Sequence, residues 1–229
     1  MNILLVGING RMGQYLKNIA INAGNKIIAG IDIKNDIKNN IYNNFNINKN
    51  IIKDIDIVID FSMPNIIDEE LGFCIKNNKK LIICATGHNQ DQIKLIENAS
   101  KKVPIFLTAN TSLGIALISK ILKDNLDVIN QYQVDIIEKH HINKKDAPSG
   151  TAKGFLQVLN KKANNVNCYS LRAGSVPGEH EILLFGTGEQ ISIKHIAESR
   201  ELFAVGALRI AEFMKNITKP SLYGMEDMF

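Results

Sequence analysis

Short runs of Ile, Leu and Val recur through the first half of the chain and predict the strands of one sheet. They lie at Ile3–Val6, Ile27–Ile31, Ile55–Ile59, Leu81–Ile83 and Ile105–Leu107. The stretches between them mostly carry apolar residues at helical spacing, as at Met12, Leu16, Ile19 and Ala23. Continuous apolar strands that alternate with helices are typical of a parallel sheet covered on both faces. The first half is therefore predicted to be a doubly wound α/β domain of the Rossmann type.

The segment from Lys34 to Asn50 interrupts this pattern, because Asn dominates it and its apolar residues are sparse. Asn favours turns over helix interiors. The segment is predicted to be a surface crossover with weak helix content.

After Ile115 the pattern changes and indicates a second domain. The predicted elements are a helix from Ile115 to about Leu126, a strand at Tyr132–Glu138, a helix from about Thr151, and strands around Glu181–Phe185 and Gln190–Ile196. Because strands and helices no longer alternate strictly, we expect an α+β domain with an open mixed sheet. The last helical segment, from Leu202 to Met214, is amphipathic and is expected to pack back on the first domain.

Composition narrows the classes of protein. The 229 residues include 45% hydrophobic and 22% charged residues, so wholesale disorder is excluded. The net charge of +4 has no basic run longer than two residues, which argues against nucleic-acid binding and suits a small anionic ligand. Three widely spaced Cys residues indicate neither a disulfide framework nor a metal site, and no stretch reads as a membrane span. We expect a soluble cytoplasmic protein without a metal.

The turn Gly7-Ile8-Asn9-Gly10-Arg11-Met12-Gly13 directly follows the first predicted strand and opens the first helix. Glycines in such a turn let the backbone approach a pyrophosphate, which the amides of the helix N-terminus attract. Asp32 ends the second strand, where a carboxylate can accept hydrogen bonds from the adenosine ribose. A ligand-free tight turn is the alternative. Together the turn and Asp32 predict dinucleotide binding, and the carboxylate favours NADH over NADPH.

The segment from Glu138 to Ala152 is the most informative part of the second half. It contains His140, His141 and Lys144, followed by Pro148-Ser149-Gly150-Thr151 at a predicted helix start. The amides of Ser149–Thr151 would be available to an anion, and the nearby cations suggest a site for a dicarboxylate. A solvated loop before a capped helix is the alternative.

These motifs together resemble the dihydrodipicolinate reductase family. The likeness runs through Glu-x-His-His, Lys-x-Asp-Ala-Pro-Ser-Gly-Thr-Ala, the glycine turn and Asp60-Phe61-Ser62. It continues through Ala85-Thr86-Gly87, Ala109-Asn110-Thr111-Ser112, Leu171-Arg172-Ala173-Gly174 and the tail Tyr223-Gly224-Met225-Glu226-Asp227, and so spans the whole chain.

The resemblance implies reduction of a cyclic imine dicarboxylate to tetrahydrodipicolinate with NADH or NADPH, in the diaminopimelate and lysine pathway. It also implies a homotetramer and two domains. These are a dinucleotide-binding domain at residues 1–110 completed by 203–229, and a substrate-binding and oligomerisation domain at residues 111–202.

The resemblance also assigns roles to residues. The family's proton donor falls on His140 and its second catalytic residue on Lys144, while substrate contacts fall on His141, Ser149, Gly150 and Thr151. Cofactor contacts fall on Gly7, Ile8, Asn9, Gly10, Arg11, Met12, Asp32, Cys84, Ala85, Thr86, Ala109, Asn110, Thr111 and Ser112.

The chain departs from the family pattern in two places. The connection Lys161–Ser170 is short and lacks a Gly- and Arg-rich loop, which puts the details of tetramer contacts in doubt. Cys84 replaces a hydroxyl residue and is expected to pack as a small apolar side chain.

Several residues and functions stay open at this point. His180 and His195 are expected to be structural, and Lys101-Lys102 and Lys161-Lys162 to be solvated helix ends. Only four of the 27 basic residues are Arg, and the sequence assigns no role to Arg172 or Arg200. The alternative functions are another two-domain NAD(P)-dependent reductase and a non-catalytic nicotinamide sensor.

Overall fold

The computed structural model describes residues 1–160 and 166–229, which divide into two compact units. Unit 1 comprises Met1–Thr111 and Phe203–Phe229, and unit 2 comprises Ser112–Leu202.

Unit 1 is a doubly wound parallel sheet, which confirms the predicted fold class. Its strands are β1 (Asn2–Val6), β2 (Lys26–Ile31), β3 (Ile41–Tyr42), β4 (Ile57–Asp60), β5 (Lys80–Ile83), β6 (Ile105–Leu107) and β11 (Leu222–Tyr223). Its helices are α1 (Arg11–Asn22), α2 (Lys49–Asp54), α3 (Ile67–Asn77), α4 (Gln90–Ser100) and most of α8 (Glu201–Lys215). The strand order is β3-β2-β1-β4-β5-β6-β11 with every pairing parallel. The order reverses between β1 and β4, and ligands bind doubly wound sheets at this point, beyond the carboxyl ends of the strands.

Helices cover both faces of this sheet, and the apolar strands are the reason. Successive side chains of β1 alternate between two cores, with Leu4 and Val6 in one and Ile3 and Leu5 in the other. Residues of α3 and α4 complete the first core, and residues of α1 and α8 complete the second. Full burial of each strand thus requires helices on both sides.

The segment from Lys34 to Asn50 carries more structure than its composition predicts. It contains the edge strand β3, and its side chains Ile41, Phe45 and Ile47 are buried at 9%, 8% and 6% exposure. As an edge strand, β3 pairs with another strand on one side only. Its two residues are too few to form a run of apolar residues in the sequence. Most of the segment is exposed, as expected of a surface crossover, and the edge strand β3 is the part that the sequence does not predict.

Unit 2 is an open mixed sheet, as predicted, and it has a fourth strand that the apolar pattern does not predict, at residues 166–172. Its elements are α5 (Leu113–Asp124), α6 (Leu126–Ile129), β7 (Gln133–His140), α7 (Gly150–Leu159), β8 (Val166–Arg172), β9 (Gly178–Gly186) and β10 (Glu189–Ala197). The order is β10-β9-β7-β8, with β7 and β8 parallel and the other pairs antiparallel. Residues of α5 and α7 pack with the inner face of the sheet in one apolar core.

Strands of unit 2 extend beyond the apolar runs that predict them. The strand β7 continues to His140 and β9 already begins at Gly178, because backbone ladders persist through polar residues. The connection Lys161–Ser170 is strand from Val166 onward. The predicted solvated pair Lys161-Lys162 lies outside the described residues, whereas Lys101 and Lys102 follow α4 and are exposed.

Among the helices of the described residues, not one has the length and apolar character that crossing a bilayer demands. Within the same residues, no cluster of three or more His, Cys, Asp or Glu side chains is arranged to hold a metal ion.

Candidate active site

The glycine turn joins β1 to α1 and needs glycine at two positions. Gly7 has φ +78°, and a Cβ on it would lie 3.0 Å from the carbonyl of Phe61. A Cβ on Gly13 would lie 2.2 Å from the Gly7 carbonyl oxygen, so only glycine lets α1 approach the turn this closely. The turn thus exposes backbone at the start of α1. Among the other predicted contacts, Asn9, Gly10 and Arg11 are exposed and Met12 is half-buried, while the Ile8 side chain belongs to the core.

Asp32 directly follows β2 and binds the glycine turn. Its Oδ2 accepts a hydrogen bond from the Asn9 amide at 2.8 Å, and its Oδ1 accepts one from the Ile33 amide at 2.8 Å. A carboxylate has about four lone-pair positions, so acceptor capacity remains for ribose hydroxyls.

A cavity of about 310 Å³ lies at the carboxyl ends of β1, β2 and β4. Gly7, Gly10 and Asp32 line it together with Phe61, Ser62 and Met63. Phe61–Met63 follow β4 across the point where the strand order reverses. No role had been assigned to them from the sequence, although Asp60-Phe61-Ser62 is part of the family motif.

The remaining predicted cofactor residues follow β5 and β6 at the same edge of the sheet. Cys84 and Ala85 are buried at 8% and 5% exposure, while Thr86 is exposed. Burial raises the pKa of the Cys84 thiol well above its usual value, in keeping with a small apolar packing role. Ala109 is exposed and Asn110 is half-buried.

Thr111 and Ser112 are buried and bonded within the protein. The Thr111 hydroxyl donates to the Phe203 carbonyl at 2.7 Å, and the Ser112 Oγ lies 3.2 Å from His195 Nε2. These two side chains therefore serve packing, and any contribution to a cofactor would come from their backbone.

In unit 2, four polar residues gather on the inner face of the sheet. Glu138 and His140 share this face because they are two residues apart on β7. The pairing of the strands places His180 of β9 opposite Glu138 and Arg172 of β8 opposite His140. All four lie toward the carboxyl end of β7, beyond the apolar residues Val134 and Ile136.

Glu138 is the centre of this cluster and is fully buried. It accepts two hydrogen bonds from the Arg172 guanidinium, at 3.0 Å and 2.8 Å, and its Oε2 lies 2.5 Å from His140 Nδ1. Burial raises the pKa of the Glu138 carboxyl, but hydrogen bonds from Arg172, Ser170 and His140 outweigh it and hold the pKa at about 2. Glu138 is therefore ionised at neutral pH.

His140 is the last residue of β7 and is 8% exposed. Burial lowers its pKa, and the positive charges of Lys144 and Arg172 lower it further, whereas the hydrogen bond to Glu138 opposes both. The ring of His180 lies edge-on to that of His140, with centroids 5.1 Å apart. Burial lowers the pKa of His180 to about 4, so its ring is uncharged at neutral pH.

The loop after β7 holds the predicted cations. His141 is half-buried, and Lys144 Nζ forms an ion pair with Asp146 at 2.8 Å. Arg172 also donates to the Asp146 carbonyl at 2.6 Å, which ties this loop to β8.

The start of α7 differs from its prediction at one residue. The Ser149 side chain caps the helix by accepting from the Ala152 amide at 3.2 Å, and its Oγ lies 3.1 Å from His180 Nε2. The Ser149 amide donates to Glu138 at 3.2 Å, so the expectation that it is available to an anion is wrong. This amide is already bonded to the buried carboxylate of Glu138. Gly150 is exposed and Thr151 is half-buried at the first turn of α7.

Sequence reasoning missed the partnership of Glu138, Arg172 and His180. The scarcity of Arg in this Lys-rich chain was the one available signal for Arg172. Arg200, the other arginine left without a role, lies between β10 and α8.

Comparisons with known proteins match one and the same family over nearly the whole chain. Residues 1–111 match the family model "Dihydrodipicolinate reductase, N-terminus", and residues 114–229 match "Dihydrodipicolinate reductase, C-terminus". The 4-hydroxy-tetrahydrodipicolinate reductase of Clostridium novyi (strain NT) is 38% identical, with 99% of this chain and 97% of the relative covered. The enzyme of the same name from Thermosipho africanus (strain TCF52B) is 36% identical, with 100% and 97% covered.

A solved structure supports the fold. A dipicolinate-bound dihydrodipicolinate reductase from Paenisporosarcina sp. TG-14 superposes with a TM-score of 0.83 at 22% identity, covering 100% of this chain and 99% of that one. The more distant aspartate dehydrogenase of Thermotoga maritima reaches a TM-score of 0.57 at 15% identity, with 93% and 96% covered. The family models and full-length relatives show that the chain belongs to the dihydrodipicolinate reductase family, the NAD(P)H-dependent oxidoreductases of diaminopimelate and lysine biosynthesis whose N-terminal domain binds the nucleotide.

Proposed function

We propose that this chain reduces a cyclic imine dicarboxylate to tetrahydrodipicolinate, with His140 as proton donor and Lys144 as the second catalytic residue. The observation that carries these roles is the buried His140 ring, held by ionised Glu138 at a strand end. The loop with Lys144 and the N-terminus of α7 follow directly in the chain. The bound dipicolinate of the Paenisporosarcina enzyme shows that a relative accepts a planar dicarboxylate of this kind.

The residues of unit 1 fit a nicotinamide dinucleotide. The Gly7–Met12 turn exposes backbone where a pyrophosphate would be held, and the cavity of about 310 Å³ beside Asp32 suits the adenosine end. Ala85, Thr86, Ala109 and Asn110 at the ends of β5 and β6 would contact the remainder, with Cys84, Thr111 and Ser112 contributing backbone. When bound, the reduced cofactor supplies the hydride.

His140 supplies the proton that the reduction requires. Addition of hydride to the far carbon of a conjugated imine leaves negative charge on the ring nitrogen and the adjacent carbon. Because the pKa of His140 is lowered in the free protein, the ring gains its proton most readily when a dicarboxylate brings negative charge beside it. Binding of the substrate would thus favour protonation of His140, which then donates this proton in the reaction.

The substrate carboxylates would be bound by cations and helix amides. Lys144 supplies a mobile positive charge, His141 a second donor, and Gly150 and Thr151 the amides of the first turn of α7. Ser149 lies adjacent, with its amide already bonded to Glu138. Lys144 would exchange its exposed partner Asp146 for a carboxylate of the substrate.

The outer face of the second sheet supports a homotetramer. Tyr169, Leu171 and Ile196 project from this face with 51%, 48% and 53% of their surface exposed. Exposed apolar side chains on one sheet face favour burial against other copies of the chain. A cytoplasmic location accords with the free cysteines and with a reductase of amino-acid biosynthesis.

The test is a direct assay of NADH or NADPH oxidation with freshly prepared imine, with tetrahydrodipicolinate identified by mass spectrometry. The wild-type chain should form product in step with cofactor oxidation. Cofactor binding without product would indicate a nicotinamide sensor, and turnover only with another oxo or imino acid would indicate a different reductase.

A further inference from the structure

The carboxylate of Glu138 connects three parts of unit 2. It is bonded to the His140 ring on its own strand, to the Arg172 guanidinium on β8 and to the Ser149 amide at the start of α7. An anion in this position has one hydrogen-bond partner in each part of the site. The side chain has no route to solvent, since it is fully buried.

We propose that Glu138 and Arg172 are positioning residues of the reaction: Glu138 binds the Nδ1 proton of His140, so that Nε2 carries the proton that is transferred, and Arg172 keeps Glu138 ionised. This inference rests on the proposed role of His140. It adds a glutamate and an arginine that act through their contacts with protein groups.

The geometry determines which ring nitrogen is available. Oε2 of Glu138 is an acceptor 2.5 Å from Nδ1, so this nitrogen keeps its proton in both the neutral and the charged ring. Nε2 then gains and loses the proton. Gly178 lies beside this atom, and a Cβ there would come within 3.0 Å of Nε2. Glycine at 178 therefore leaves space where the transferable proton is held.

Arg172 explains why the carboxylate stays charged in a buried site. Burial by itself favours the protonated carboxyl, and a protonated Glu138 would no longer attract the Nδ1 proton. Two hydrogen bonds from a planar guanidinium oppose this, and the 17% exposure of the Arg172 side chain limits screening by water.

The charged and titratable groups around His140 come from every neighbouring element. Glu138 lies on the same strand, Arg172 on β8, His180 on β9 and Lys144 on the loop that follows. Glu138 raises the proton affinity of the ring, whereas Arg172 and Lys144 lower it. Removal of Arg172 therefore has two opposing effects on the titration of His140: loss of its own charge raises the proton affinity of the ring, whereas protonation of Glu138 in its absence lowers it. Because Oε2 of Glu138 lies 2.5 Å from Nδ1, the proposal requires the second effect to be the larger.

The experiment measures turnover against pH and the ¹⁵N shifts of His140 in Glu138→Gln and Arg172→Gln. Glu138→Gln should lower kcat roughly 10²-fold, as expected for a misplaced catalytic group, and should move the alkaline limb of the profile to lower pH. Arg172→Gln should also move that limb to lower pH, because Glu138 takes up a proton without the guanidinium, and Arg172→Lys, which keeps the positive charge, should restore part of the wild-type profile. The ¹⁵N spectrum of the wild-type chain should show the proton of neutral His140 on Nδ1.

Matched controls separate positioning from general loss of structure. Glu198→Gln, an exposed glutamate beyond β10, should leave the profile unchanged. Gly178→Ala should reduce kcat, while Gly154→Ala, whose added Cβ meets nothing within 4 Å, should not.

The proposal is overturned if Arg172→Gln moves the limb to higher pH, since Arg172 would then act only as a repelling charge, or if Glu138→Gln leaves the limb in place. If Glu138→Gln does not fold, the downward shift in Arg172→Gln and its recovery in Arg172→Lys decide the question. A wild-type limb that does not coincide with the His140 titration seen by NMR would instead contradict His140 as the proton donor. The ¹⁵N shifts would still test whether Glu138 orients the ring.

Discussion

Asp60 and Glu138 are two buried carboxyl groups near the carboxyl ends of strands. The pKa of Asp60 is raised, whereas that of Glu138 is lowered. Asp60 ends β4 and is 1% exposed, and Glu138 lies two residues before the end of β7 and is fully buried. Burial raises the pKa of Asp60 to about 6 despite hydrogen bonds from Ser62. The pKa of Glu138 is about 2, because Arg172 and two other donors outweigh the same burial.

The difference shows how the two units build their sites. Unit 1 relies on backbone and space around its glycine turn. Burial raises the pKa values of its buried acids Asp60 and Glu70, and the charge of Asp60 raises that of Glu70 further. Unit 2 relies on a permanent anion that orients a histidine. The pKa of a buried carboxyl group is thus raised where burial dominates and lowered where an arginine forms hydrogen bonds to it.

The largest effect should come from the histidine that the fixed anion holds. His140→Gln should lower kcat by about 10²–10⁴-fold, the usual contribution of a general acid, with little change in the dissociation constant for NADH. His141→Gln, one residue away, should act mainly on KM for the imine. Steady-state kinetics and cofactor titration measure both, and unchanged turnover in His140→Gln would assign the acid to another group.

The second effect concerns the raised pKa of Asp60 and is measured as the free energy of unfolding. The folded protein keeps the Asp60 proton up to about pH 6, whereas the unfolded chain releases it near pH 3.8, so folding takes up a proton between these values. The contribution of Asp60 to stability is therefore full below pH 3.8 and is lost as pH rises through 6. Asp60→Asn should gain up to about 3 kcal/mol more at pH 7 than at pH 4.

Urea unfolding at the two pH values tests this difference. The exposed Asp91→Asn is the control and should show no comparable change between them. Equal stabilisation by Asp60→Asn at both pH values would mean that folding does not raise the pKa of Asp60. It would also remove the contrast with Glu138.

A smaller effect is expected for the cation of the loop after β7. Lys144→Ala should reduce kcat/KM for the imine about tenfold or more, since a charge-assisted hydrogen bond contributes about 1.5–3 kcal/mol. Lys145→Ala removes the same charge from the exposed neighbouring residue and should have little effect. Equal losses in the two variants would indicate general electrostatic attraction rather than a specific contact.

The smallest effect tests the carboxylate of Asp32, which lies beside the glycine turn of unit 1. We expect NADH to be used at least as well as NADPH, because Asp32 repels a ribose 2′-phosphate. Asp32→Ser should shift the ratio of specificity constants toward NADPH, whereas Asp36→Ser, four residues on and exposed, should not. A wild-type preference for NADPH of about a hundredfold, or ~2.7 kcal/mol, would contradict this reading of Asp32.

The sequence predicts much of the fold because burial leaves a periodic pattern. The apolar runs at β1, β4 and β5 mark strands buried on both faces, and they were found where the structure has them. The edge strand β3 was missed, since two residues paired on one side leave no such run. The predicted strand Tyr132–Glu138 also ends two residues before β7 does, because the polar residues Lys139 and His140 are still in the ladder.

For the candidate site, what the sequence by itself determined is local. The alternation Val134, Ile136, Glu138, His140 places the acid and the histidine on one face of a strand, because side chains in a strand repeat every two residues. The glycine spacing after β1 likewise follows from steric limits on a tight turn. Only the tertiary structure decided that Arg172 meets Glu138, since these residues are 34 positions apart and the register of β7 with β8 that brings them together leaves no periodic trace in the chain.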